Sequence, residues 1–145
     1  MNYRKFIAII FLIVALIFGA VFYLNIGVPE SIEGYFKKSY YGQFGPLSIC
    51  VELLVAGYYL FKANKKANFT LALFGFTVIL DILFNLTGIL TSGVPVYAMV
   101  VFFCFAVVSF WIAFSNSFNL GKISFKGTIA AFVLGNAVEF FFNYL

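Results

Sequence analysis

The chain has 145 residues, of which 64% are hydrophobic, 22% aromatic and only 10% charged, with a net charge of +4. A soluble domain is about half apolar and about a quarter charged, so the surplus, above all the 22 Phe, calls for a lipid-facing surface and excludes an ordinary soluble enzyme. The basic residues gather at the ends of apolar runs, where they set topology and meet anionic headgroups, so the positive charge does not point to nucleic acid.

Arg4 and Lys5 open the first apolar run, Phe6 to Leu24. A run of about 20 residues crosses a bilayer. It ends in Phe22-Tyr23-Leu24-Asn25 without the small residues of a signal-peptide cleavage site, and so reads as a retained anchor. Next comes the polar loop 26–44, holding Pro29, Glu30 and Glu33, then the aromatic-basic stretch Tyr35-Phe36-Lys37-Lys38-Ser39-Tyr40-Tyr41. Tyr and Lys together favour the headgroup zone, so a short surface helix that anchors the loop is expected there.

The second span, 45–61, opens with Gly45-Pro46 and closes before Lys62, Lys65 and Lys66. The third covers 69–90, and the turn Thr91-Ser92-Gly93-Val94-Pro95 leads to the fourth, 96–114. A polar break from Asn116 to Lys126 precedes the fifth span, 127–145. The expected fold is therefore all-α, a single transmembrane domain over residues 1–145 built as a bundle of five helices. With the N-terminus inside, the inner face carries Arg4, Lys5, Lys62, Lys65, Lys66, Lys122 and Lys126, against Lys37 and Lys38 outside. That bias predicts a cytoplasmic N-terminus, an external C-terminus and an external loop 26–44.

Three of the five acids, Glu52, Asp81 and Glu139, fall inside these spans. A carboxylate in hydrocarbon costs about 2.5–3.5 kcal/mol on insertion scales, and such residues mark functional sites by default. From the helical rise, Glu52, Asp81 and Glu139 lie roughly 10, 14 and 9 Å below the outer boundary. Three helices thus bring carboxyls to the outer half of the membrane.

The helical faces agree with that convergence. Thr77, Asp81, Asn85 and Gly88 form one polar stripe in the third span. Gly127, Ala131, Gly135, Glu139 and Asn143 recur every fourth residue in the fifth, where the small residues allow another helix to approach closely. Ser48, Glu52, Ala56 and Tyr59 share a face of the second. The candidate site is Glu52, Asp81, Asn85 and Glu139, with Asn136 and Tyr59 as further members. No Lys or Arg lies within a span to neutralise these acids, so a bound cation or proton would relieve their mutual repulsion.

The chain has no His and only two Cys, Cys50 and Cys104, far apart and each in an apolar run. No zinc or redox pattern is present, and both thiols read as buried small hydrophobes. No metal and no cofactor is expected. The first functional reading is binding or transport of a small cation, proton or cationic solute by a multi-pass protein of a bacterial plasma (inner) membrane. Its partners would be membrane lipids, with assembly as a homo-oligomer or beside a partner membrane protein. A Thr-Val-Gly-Tyr-Gly filter and matching inverted repeats are absent from the sequence. A second reading is a non-catalytic interaction protein, either an accessory subunit or a toxin-immunity type protector, docking by helix ridges and buried charge. A third is a carboxylate-based enzyme acting within the membrane or on lipid headgroups. It is disfavoured, because no Gly-x-Gly-Asp surrounds Asp81 and no Gly-x-Ser-x-Gly elbow occurs.

Overall fold

A computed structural model describes residues 3–37, 40, 42–89, 94–116 and 118–143. Among them the fold is all-helical, with five helices: α1 (Tyr3–Leu24), α2 (Gly45–Phe61), α3 (Lys66–Leu86), α4 (Val96–Phe114) and α5 (Phe125–Asn143). Four of these are long and apolar enough to cross a membrane, and α2 is shorter, at 17 residues. At a rise of about 1.5 Å per residue α2 still extends about 25 Å, near the lower limit for a span. Large apolar side chains such as Ile13, Leu16 and Ile17 on α1 and Phe132, Val133 and Leu134 on α5 face outward. In an integral membrane protein that surface belongs to lipid.

Local chemistry sets the helix ends. Asn64 Oδ1 accepts the Lys66 N–H at 2.9 Å, so α3 begins three residues before the expected Phe69. Gly88, at φ +78°, takes the left-handed conformation that closes a helix, while the Thr87 N–H bonds to the Leu83 carbonyl. Helix α3 therefore ends at Leu86 instead of Leu90, and Gly88 is its terminator rather than the last member of a polar stripe. Ser124 caps α5: its Oγ accepts the Gly127 N–H at 3.0 Å and its carbonyl the Thr128 N–H at 2.9 Å. Gly127 thus packs on its own entry turn, against Ser124 and Ile123, and not on a neighbouring helix.

Helix α3 is the spine of the bundle, buried along Ala67, Leu71, Phe74, Val78 and Asp81 and contacted by α2, α4 and α5. Helix α1 lies against α2, where a side chain at Gly57 would meet Phe11, Leu12 and the Ala8 carbonyl at 3.2–3.3 Å. It reaches α4 through rings, Phe11 stacking on Phe105 at 5.0 Å and Phe18 meeting Phe102 edge-on at 5.4 Å. Trp111 and Cys104 face outward on α4. Cys104 is therefore not the buried hydrophobe expected, whereas Cys50 is buried on α2. With 3.6 residues per turn, a thiol two places beyond the buried Phe102 is turned well away from the core.

Alternation of helix direction sorts the loops to two ends. One end gathers Arg4, Lys62, Lys65, Lys66, Lys122 and Lys126. Arg4 Nη1 there donates to the Leu60 and Phe61 carbonyls, both at 2.7 Å, and Asn68 Nδ2 to the Leu120 and Gly121 carbonyls at 3.1 and 3.2 Å. The other end holds the loop between α1 and α2. Gln43 stitches that loop together, with its Oε1 accepting the Gly27 N–H at 2.8 Å and its Nε2 donating to the Tyr40 carbonyl at 3.2 Å. The loop carries a five-residue 3₁₀ helix, Ile32–Phe36, whose Ile32 and Phe36 are 80% and 81% exposed, and which overlaps the stretch expected to form a surface helix only at Tyr35 and Phe36. Lys38, Ser39, Tyr41, the turn 91–93 and the last two residues lie outside the described residues.

Candidate functional site

Three helices bring carboxyl groups to the loop end of the bundle. Glu52 is seven residues from the start of α2, Asp81 five from the end of α3, and Glu139 four from the end of α5. These offsets correspond to about 10, 8 and 6 Å along the helix axes. Asp81 is nearer its helix end than the roughly 14 Å that a span reaching Leu90 implies, because Gly88 stops α3 one turn sooner.

The register between α3 and α5 explains how two acids meet. These helices run parallel, with Phe76 against Phe132 (ring centroids 5.5 Å apart) and Phe84 against Phe140 (5.4 Å). Between those ring pairs Gly135 lies against Thr77, and a Cβ at Gly135 would sit 3.4 Å from Thr77 N and Oγ1. Asp81 follows Thr77 by four residues and Glu139 follows Gly135 by four. One helical turn beyond the close contact, both carboxyls are therefore on the facing sides. Each is 3% exposed, and the two carboxyls lie close enough to interact.

An ionised carboxylate has acceptors only, so carboxyls brought together need a proton or another donor between them. Glu52 is close enough to act electrostatically on Glu139. Its Oε1 accepts the Thr77 hydroxyl at 3.2 Å, and its Oε2 is buried with no hydrogen-bond partner. Thr77, fully buried, thus links the acid of α2 to the pair on α3 and α5. The candidate set read from sequence omits Thr77, although its place in the stripe with Asp81 was visible.

The three further candidates are less buried than Asp81 and Glu139. Asn85 is exposed on the last turn of α3, one turn beyond Asp81. Asn136 is half-buried and donates its Nδ2 to the Phe132 carbonyl of its own helix at 2.9 Å, one position off the face that Gly135 presents to α3. Tyr59 is half-buried two turns from Glu52 towards the basic end, its ring 5.8 Å from that of Tyr58. Asn143 belongs to the last turn of α5, and its side chain lies outside the described residues.

Among the described residues, no three His, Cys, Asp or Glu side chains are placed to hold a metal ion. The arrangement is suited to sharing protons, or to accepting a hydrogen-bonding cation beside Glu52. Comparison of the chain with family models, with curated proteins and with solved structures finds no match.

Proposed function

We propose that this protein binds a proton or small cationic solute at Glu52, Asp81 and Glu139 and carries it across the membrane. The observation that supports this most is the burial of Asp81 and Glu139 on the facing sides of two apolar helices, with a third acid on α2 held to the same place by Thr77. Acids buried within a membrane span are expensive to insert. A purely structural link between α3 and α5 would be made as well by neutral amides, at lower cost. In this reading the basic end faces the cytoplasm of a bacterial cell, and the chain acts as a homo-oligomer or beside a partner membrane protein.

The test is reconstitution in vesicles loaded with a pH-sensitive dye, with an imposed potential to drive flux. The native chain is expected to collapse a proton gradient, and Asp81→Asn to slow it at least tenfold while remaining helical, inserted and monodisperse. Full flux in Asp81→Leu would reduce the acid to a structural element. A folded native chain with no flux for protons or small cations would transfer support to the docking reading, in which the same acids pair with a partner's basic groups.

A further inference from the structure

Helices α2 and α5 meet at the loop end, where a Cβ at Gly45 would touch Phe142 Cβ at 3.5 Å. Beside that contact runs a groove of about 370 Å³, walled by Phe44, Leu47 and Val51 on one side and Val138 and Phe142 on the other, with Glu52 between them. Its volume falls within the roughly 300–1,000 Å³ typical of small-molecule sites. Val51 is 52% exposed, so the groove opens on the outer surface of the bundle, the side that a membrane chain presents to lipid. Ser48 also borders it, but its hydroxyl donates to the Gly45 carbonyl at 2.6 Å. Glu52 is then the lining acid, and its Oε2 is buried without a partner while Oε1 is held by Thr77.

An apolar groove reached from lipid, with one acidic oxygen lacking a donor, defines its ligand chemically. The body must be apolar to match the walls, and the head must supply an N–H donor with positive charge. A lipid acyl chain would satisfy the walls and leave Oε2 unpaired. A hydrated metal ion would find only the Ser48 hydroxyl oxygen beside Glu52 among the lining side chains, too few for a hard cation. We infer that the groove between α2 and α5 binds a lipophilic primary ammonium ion, its apolar body along Leu47, Val51 and Val138 and its head at Glu52. This rests on the cation-binding reading above and narrows its solute to a membrane-soluble amine.

The experiment uses the full chain in phosphatidylcholine nanodiscs, titrated with 4-phenylbutylammonium and, separately, with 4-phenylbutanol, which has the same body without the charge. Empty nanodiscs supply the partition baseline. The native chain is expected to bind the ammonium at least tenfold more tightly than the alcohol. Glu52→Gln should bring the two within twofold of each other, and Val138→Trp, which fills one wall, should weaken the ammonium at least tenfold. Equal binding of amine and alcohol by the native chain overturns the inference, as does a preference that survives both substitutions. Should Glu52→Gln fail to fold, Val138→Trp decides the matter alone, and undiminished ammonium binding there overturns the inference. Loss of the amine preference with Asp81-dependent proton flux intact defeats this proposal only; amine binding without any flux defeats the transport reading only.

Discussion

The two ends of this bundle handle charge in opposite ways. At the basic end the charges sit on long side chains at helix termini, where Lys62, Lys65 and Lys66 are exposed and Arg4 reaches across to the last carbonyls of α2. Those carbonyls need donors in any case, and a cation at a helix C-terminus also complements the dipole. At the acidic end the charges are short side chains one to two turns inside the helices, buried against Thr77 and against one another. Length is the difference: Lys and Arg can extend to water from near the boundary, whereas Asp81 cannot and must be satisfied by its neighbours. A charge that can reach water records topology, and one that cannot marks a site.

Stability measurements on the inserted chain test this contrast, beginning with the largest expected loss. Gly135→Leu places a branched side chain where even a Cβ sits 3.4 Å from the Thr77 backbone nitrogen, so α5 must move away from α3. The expected cost is about 1–3 kcal/mol, as for overpacked cores, together with loss of proton flux because Glu139 is carried away from Asp81. Thermal unfolding in mild detergent, read beside the flux assay, checks both; an unshifted transition with normal flux would show that the close approach is not needed. Thr77→Val removes the donor to Glu52 Oε1 while keeping the shape of the side chain. Leaving that buried acceptor unpaired should cost about 1–2 kcal/mol. Arg4→Met, which keeps the apolar stem and removes both donations to α2, should cost about 0.5–1 kcal/mol, because water at the membrane boundary can replace them. If Arg4→Met proved as costly as Thr77→Val, the proposed difference between wet and dry ends would be wrong.

The helices could be read residue by residue, because hydropathy is a local property: a run of Phe, Ile and Leu is apolar whatever surrounds it. The ridge on α5 was legible for a related reason. Ala131, Gly135 and Glu139 recur every fourth residue, and all three are buried on the face toward α3. The same periodicity grouped Asn85 with Asp81, but Gly88 ends α3 so early that Asn85 lies in the exposed last turn. Asn136 illustrates another limit. An amide inside a span can bond to its own helix, here the Phe132 carbonyl, and nothing local distinguishes that choice from a cross-helix contact.

Composition and periodicity alone were enough to establish a membrane-embedded helical chain with three acids toward one end. Both depend on the order of residues along a single strand of covalent chain, and burial of apolar surface follows from that order directly. Which acid meets which, and through what intermediary, was decided by the parallel register of α3 and α5 and by the antiparallel approach of α2. That register depends on a glycine seated against a threonine 58 positions away in the chain. A contact of this kind is a property of two surfaces brought together, so only the folded arrangement could reveal it.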